Sequence, residues 1–271
     1  MYHDQSDSHM NCSVSKITVL IPAFNPDHHL LQLIDDLIDS NFNSIVVIND
    51  GSVLACAPVF EAIEMKKQCR LLRHAANLGK GRALKTGINY SLAHIQGLNG
   101  IVTCDADGQH MAEDVVKVSM VLNNNPECLV LGVREFCATV PLLSRLGNVI
   151  TRSIFYILTG KCLSDTQTGL RGIPTRFIPT LISLEGEGYE YEMGMLIASK
   201  TQGIRVLEEK ITTIYLNNNR SSHFKPVLDS IRIYLLLLRF AFTPILAGFS
   251  GLFSLNFIGI RNNEAEDATK K

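Results

Sequence analysis

Asp105-Ala106-Asp107-Gly108-Gln109-His110 places two carboxylates one residue apart, directly after the apolar run Gly100–Cys104. Two carboxylates at a strand end can project toward one site. Hard oxygen ligands suit Mg²⁺ or Mn²⁺, and such an ion neutralises a diphosphate. A calcium loop of the EF-hand type needs glycine at the sixth position, whereas here it is the fourth. The plainer reading is a solvated acidic turn. Placement at the end of a buried strand favours the metal site.

Other residue groups carry weaker chemical signals. Asn77-Leu78-Gly79-Lys80-Gly81-Arg82-Ala83-Leu84-Lys85-Thr86-Gly87 approaches two nucleotide motifs and completes neither. Leu84 stands where both a P-loop counted from Gly79 and a G-x-G-x-x-G run need glycine. Gly79 and Gly81 still open a helix, and a helix N-terminus beside Lys80 and Arg82 attracts anions. Asn49-Asp50-Gly51-Ser52 follows another apolar run. Its Asp50 could accept hydrogen bonds from a nucleobase or ribose, although N-D-G-S is also ordinary turn chemistry. Arg145 and Arg152 are two helical turns apart and share a face, either a solvated one or one for a lipid phosphate. Arg171 is readable as a phosphate contact or as a structural partner of Asp165, and His110 equally as a ligand or as a packing or supporting histidine. Glu190 and Glu192 face different ways on a helix, one toward solvent and one toward a site.

These residues need a scaffold, and the hydrophobic pattern supplies one. Ile17–Pro22, Ser44–Asp50, Cys69–His74, Gly100–Gly108 and Cys128–Arg134 read as strands. Leu30–Ile38, a stretch reaching Gln68, Gly79–Ile95 and Ala112–Asn123 read as the helices between them. Four β-α repeats predict an α/β fold with a mostly parallel sheet flanked by helices on both faces. Ligands of such sheets sit beyond the carboxyl ends of the strands, where Asp50 and Asp105–Asp107 fall. In the second half, Leu142–Thr159 reads as amphipathic, Tyr189–Lys200 and Pro226–Arg239 as helical, and Ile204–Leu216 as extended.

Composition narrows the function classes. The 271 residues are 46% hydrophobic and 19% charged, which suits a packed core and excludes a disordered chain. With 25 basic and 26 acidic residues the net charge is -1, unlike a general nucleic-acid binder. The 7 cysteines form no C-x-x-C pair and read as reduced. Residues 1–15 are polar and read as a disordered leader without a secretory signal. Mean hydropathy is +0.15, and the apolar excess lies toward the C-terminus. Phe240–Ile260 carries no charge and is long enough to cross a bilayer. A buried core helix is the competing reading. The expected organisation is a catalytic domain over 16–230, an amphipathic or transmembrane segment over 231–261 and a polar tail over 262–271.

Taken in order and spacing, IPAFNP (Ile21–Pro26), VVINDGS (Val46–Ser52), NLGKGRALKTG and DADGQH resemble the family-2 glycosyltransferases of the GT-A fold. GVRE (Gly132–Glu135), SDTQTGLRGIP (Ser164–Pro174), GYEYEM (Gly188–Met193) and SSHFKP (Ser221–Pro226) narrow the resemblance to dolichyl- or polyprenyl-phosphate sugar synthases. Asn49 departs from it, since many members carry a second Asp there, and many relatives continue into several membrane helices.

The resemblance implies a GT-A-type, Rossmann-like sheet with a C-terminal membrane-associated segment. It implies a nucleotide pocket lined by Pro22, Ala23, Asn25, Asp50, Asn77, Gly79, Lys80, Asp105 and Ala106. Asp105 and Asp107, with Gln109 as a further ligand, would hold Mg²⁺ or Mn²⁺. Arg134 and Arg145 would meet the phosphates, and His223 and Lys225 would close over the diphosphate. The implied partners are a nucleotide-sugar donor, a polyprenyl-phosphate acceptor and the cytoplasmic face of the membrane. A lipid phosphate arrives ionised and needs no general base, whereas a saccharide hydroxyl would need one, for which Glu190 or Glu192 stands as candidate.

Overall fold

The computed structural model describes residues 16–134, 151–153, 155–156, 160, 162–212, 233 and 235–236. The leader, Arg145, His223, Lys225, most of the Leu142–Thr159 and Pro226–Arg239 stretches and the whole of Phe240–Ile260 lie outside them. Among the described residues no helix is long and apolar enough to cross a membrane.

The first half follows the sequence pattern closely. Strands β1 (Ile17–Ala23), β2 (Ile45–Asp50), β3 (Cys69–His74), β4 (Gly100–Thr103) and β5 (Cys128–Arg134) alternate with helices. These are α1 (His29–Asp39), α2 (Ala57–Glu64), α3 (Lys80–His94) and α4 (Ala112–Asn124). Strand residues are buried on both faces because helices cover both. Ile17, Val19 and Ile21 pack with α1, α2 and α4 in one core, while Leu20, Val46 and Ile48 pack with α3 in the other. Alternate side chains of a strand point to opposite faces, so one continuous apolar run serves two cores.

The order across the seven-stranded sheet is β3-β2-β1-β4-β6-β5-β7. Strand β6 (Arg171–Pro174) runs antiparallel to both neighbours, and β7 (Arg205–Ile211) pairs parallel with β5. Sequence pattern alone does not reveal β6, because four residues including Gly172 and Pro174 carry no readable period. Its place is set by close packing: a Cβ on Gly172 would lie 3.2 Å from Val118 and Val130 side chains. Helices α5 (Ile178–Ser183) and α6 (Glu190–Thr201) complete the described elements.

Two expected boundaries shift for local reasons. The strand expected over Gly100–Gly108 stops at Thr103, because the Asp105 amide donates to His110 Nδ1 (3.0 Å) and leaves the ladder. The helical stretch expected to reach Gln68 divides into a 3₁₀ turn at Leu54–Cys56 and α2, which carries Pro58 in its first turn and ends at Glu64. Proline is well suited to that first turn, where its missing N–H is no loss.

Candidate active site

The carboxyl ends of β1, β2 and β4 lie side by side, and three loops meet above them. At the end of β2, Asp50 is 3% exposed and tied on three sides. Its Oδ1 accepts from His74 Nδ1 (2.7 Å) and the Leu78 amide (2.9 Å), and its Oδ2 accepts from the Gly79 amide (2.9 Å). His74 is fixed in turn by Thr86 Oγ1 at 3.0 Å. Asp50 therefore clasps the Asn77–Gly79 loop to the sheet. Gly51 makes the contact possible, since with φ +69° a Cβ there would sit 2.2 Å from the Ala76 carbonyl carbon.

Asn49 and Asn25 organise the neighbouring turn. The Ser52 amide donates to Asn49 Oδ1 (2.9 Å), the Asn25 amide to Ser52 Oγ (2.9 Å), and the Val53 amide to Asn25 Oδ1 (2.9 Å). An amide oxygen at position 49 thus caps the turn without adding charge. Pro22 and Ala23 close β1 beside this turn, in register with Ile48 and Asn49.

The start of α3 is occupied from within the chain. A Cβ on Gly79 (φ +101°) would lie 2.4 Å from Glu187 O, and one on Gly81 would lie 2.7 Å from Tyr191 Cβ. These glycines admit the loop between α5 and α6 rather than leaving an open cradle. The Arg82 amide donates to Glu187 O (3.1 Å), and the Glu187 carboxylate meets Arg82 Nη2 (2.9 Å) and Lys85 Nζ (2.8 Å). Glu187 thus engages the Arg82 and Lys85 side chains with its carboxylate and the Arg82 amide with its carbonyl.

Past β4, Asp105 and Asp107 share one turn. Asp105 Oδ1 lies 2.7 Å from Lys80 Nζ, which also lies 3.1 Å from Glu192 Oε1. Burial is the largest influence on Asp105 and opposes its ionisation, but Lys80, His110 and Arg134 together outweigh it and hold the carboxyl well below its ordinary value. Burial and the neighbouring Asp105 charge push Asp107 upward. Asp107 Oδ2 accepts from Gln109 Nε2 (2.9 Å) and Oδ1 from the Gln109 amide (3.1 Å). Gln109 therefore turns its amide onto Asp107. Ala106 is half-buried against the core between the two aspartates. The His110 ring nitrogen that accepts from Asp105 N is Nδ1, so its proton is on Nε2.

Two residues from the SDTQTGLRGIP and GYEYEM motifs complete the turn. A Cβ on Gly169 would lie 2.2 Å from Asp105 Oδ2, so this glycine opens the space that the carboxylate fills. Glu192, 6% exposed, is the glutamate facing Lys80 and Asp105. Glu190 folds back, its Oε1 accepting from the Glu187 and Gly188 amides at 3.0 Å each, with Oε2 buried and unpaired by hydrogen bonds. The pair's two-residue spacing signals that they differ. Only the fold shows which one faces the site.

Arg134, Arg152 and Arg171 are each anchored. Arg134 Nε donates to the fully buried Asp165 carboxylate at 2.6 Å. Arg152 Nε donates to Leu163 O at 2.7 Å. Arg171, 1% exposed, donates to the carbonyls of Thr166, Thr168 and Glu192, and so pins the first turn of α6 to the β6 edge. The oxygens it bonds are backbone carbonyls, and the Asp165 carboxylate accepts from Arg134 instead.

Oxygen donors concentrated in one half-buried turn, with two carboxylates in mutual repulsion, fit a hard divalent cation. Comparison with known proteins shows the family and the fold. The model of the Glycosyl transferase family 2 matches residues 18–173. The UDP-N-acetylglucosamine--dolichyl-phosphate N-acetylglucosaminyltransferase of Methanococcus voltae is 28% identical, over 73% of this chain and 86% of that protein. The dolichyl-phosphate beta-glucosyltransferase ALG5C of Trichomonas vaginalis is 27% identical, over 57% of this chain and 50% of its own length. Glucosyl-3-phosphoglycerate synthase of Mycobacterium tuberculosis, solved with Mn²⁺, UDP and phosphoglyceric acid, superposes with a TM-score of 0.62 at 17% identity. That match covers 87% of this chain and 81% of the synthase, and it places the seven-stranded sheet among GT-A folds.

Proposed function

The chain belongs to glycosyl transferase family 2, and from that premise we propose that it transfers a sugar from a UDP- or GDP-linked donor to a polyprenyl phosphate. The observation that carries this reading is the Asp105–Asp107 turn, where two half-buried carboxylates stand at a strand end with Lys80 as their nearest cation. Asp105 and Asp107 would hold Mg²⁺ or Mn²⁺. The ion, when bound, supplies positive charge to the departing nucleoside diphosphate.

The remaining steps belong to the protein. The Asn25–Asn49–Ser52 turn and the loop clasped by Asp50 form the floor for the nucleotide. Arg134, fixed by Asp165, stands at the end of β5 as a guanidinium for phosphate, and Arg145, His223 and Lys225 are proposed as further phosphate contacts. A phosphate acceptor is already a nucleophile at neutral pH, so positioning replaces proton removal. Displacement at the anomeric carbon then inverts its configuration: the acceptor oxygen forms the new bond as the bond to the diphosphate breaks. Two observations support this acceptor. The Methanococcus and Trichomonas relatives are named for dolichyl phosphate. Glu192 is paired with Lys80 rather than standing free as a base. Phe240–Ile260 is proposed to keep the enzyme at the cytoplasmic membrane face, where such a lipid is found.

A saccharide-hydroxyl acceptor is the second reading, favoured by the buried Glu190 Oε2 that lacks a hydrogen-bond partner. One assay separates them. Full-length enzyme is given radiolabelled UDP- and GDP-sugars with polyprenyl phosphate, free polyprenol or soluble saccharide; the organic phase is counted for lipid products and the aqueous phase is chromatographed for labelled saccharide. Label should enter the organic phase with polyprenyl phosphate and divalent ion. Equal transfer to the free alcohol or to saccharide would overturn the lipid-phosphate reading.

A further inference from the structure

Lys80 bridges two carboxylates, one of them Asp105. It is the first residue of α3, entered from Gly79 at φ +101°. Its stem is mostly buried, and its ammonium touches three groups: Asp105 Oδ1 at 2.7 Å, Glu192 Oε1 at 3.1 Å and the Tyr189 ring, whose centroid is 5.4 Å away. Two of these come from the start of α6, far from Lys80 in sequence. Arg134 is taken by Asp165, and Arg82 and Lys85 by Glu187. Lys80 is thus the ammonium seated on the carboxylate that a divalent ion needs.

We propose that Lys80 is a built-in placeholder for the divalent ion, bridging Asp105 to Glu192 when the site lacks metal and yielding Asp105 when metal arrives. The inference rests on Asp105 and Asp107 being the metal ligands. The charges allow the exchange. Asp105, Asp107 and Glu192 with Lys80 sum to −2, so one divalent ion neutralises the cluster with Lys80 still inside it. Lys80 need only let go of Asp105, because Glu192 and the face of Tyr189 continue to hold the ammonium. A lysine suits this exchange, since its ammonium is a compact charge on a flexible stem, with rotatable donors that change partners without a fixed fork geometry. Glu192 is then a positioning residue, the second seat of Lys80.

The test is Mn²⁺ binding to metal-stripped, full-length protein, followed by the electron paramagnetic resonance of the free ion, with and without UDP. Lys80→Met and Lys80→Gln remove the competitor and should bind Mn²⁺ at least about tenfold more tightly than wild type, since an unpaired carboxylate cluster is left for the ion. Lys80→Arg retains a cation and adds a fork that grips a carboxylate with two donors, so it should bind Mn²⁺ no more tightly than wild type. Melting curves give a second readout: Lys80→Met should melt lower than wild type in EDTA and gain more from Mn²⁺. If Lys80→Met folds only with Mn²⁺ present, the ion has taken the lysine's place. Unchanged or weaker Mn²⁺ binding in both neutral variants, with binding lost in Asp107→Asn, overturns the placeholder role while leaving the metal site intact. Equal binding by wild type and Asp107→Asn removes the metal reading, and the placeholder with it.

Discussion

Asp50 and Asp105 stand at the ends of neighbouring parts of one sheet, and the two carboxylates do opposite work. Asp50 receives two backbone amides of the Asn77–Gly79 loop and the His74 imidazole, itself tied to Thr86. Asp105 receives one flexible ammonium and lies beside a second carboxylate. Fixed donors complete a carboxylate and make it a clasp. A single exchangeable cation with a like-charged neighbour leaves it in need of more positive charge. The identity and fixity of the donors, more than burial, distinguish the two aspartates here, and the proposed metal role of Asp105 follows from that difference.

The sharpest break of that comparison is Asp107→Asn. The change is nearly isosteric, and its expected effect falls on turnover. Metal charge stabilisation is worth several kcal/mol, so sugar transfer should fall by at least about a hundredfold with little change in secondary structure. Steady-state rates across Mg²⁺ and Mn²⁺ concentrations check this. Full activity at ordinary metal concentration would place Asp107 in the class of Asp50.

Asp50→Ala should act on the other side, as a loss of stability. It leaves the Leu78 and Gly79 amides and His74 without their acceptor. Hydrogen bonds to a charged group are worth about 1.5–3 kcal/mol, so a loss of that order is expected in urea unfolding. Stability equal to wild type would show that the loop is held by other contacts.

Gly169→Ala lies between the two cases. Its Cβ would meet Asp105 Oδ2 at 2.2 Å, which forces the carboxylate to move while the surrounding strand stays paired. Mn²⁺ affinity should weaken about tenfold, equivalent to about 1.4 kcal/mol, with a smaller effect on melting. Unchanged affinity would mean that Asp105 tolerates displacement and is not a metal ligand.

Much of this was legible in the sequence. The four β-α repeats, the strand-end position of Asp50 and the Asp105–Asp107 pair follow from short-range pattern, because period and turn chemistry are local. Partners were not legible. Glu192 reaching Lys80, Gly169 opening space for Asp105, and Glu187 filling the start of α3 all join segments about 60 to more than 100 residues apart. The Gly79–Gly81 run shows the limit best. Its glycines suggested an anion cradle, and that inference was physically sound. The fold also brings Glu187 onto Arg82 and Lys85 there, which no local spacing reveals.

The smallest expected effect gives a direct test of the donor argument, because it reverses sign with metal. Burial and the Asp105 charge raise the Asp107 carboxyl above its ordinary value of 3.8 in the folded protein. A group whose folded value is raised stabilises the fold below its unfolded value, and that contribution is lost as pH rises through the folded one. Metal-free wild type should therefore lose stability as pH climbs from below 3.8 through the raised value. Asp107→Asn carries no such titration, so the two proteins should match near the acid end and diverge above it. At neutral pH in EDTA the variant should be the more stable, by under about 1 kcal/mol, the scale of a partly exposed charge interaction. Saturating Mn²⁺ should reverse the order, since an ion that binds only the folded state stabilises wild type by mass action and gives the variant little. Urea unfolding at acid and neutral pH, with EDTA and with Mn²⁺, reads all four corners. A variant less stable than wild type in EDTA at neutral pH would mean that fixed donors hold Asp107 as they hold Asp50, and the distinction between the two strand ends would fail.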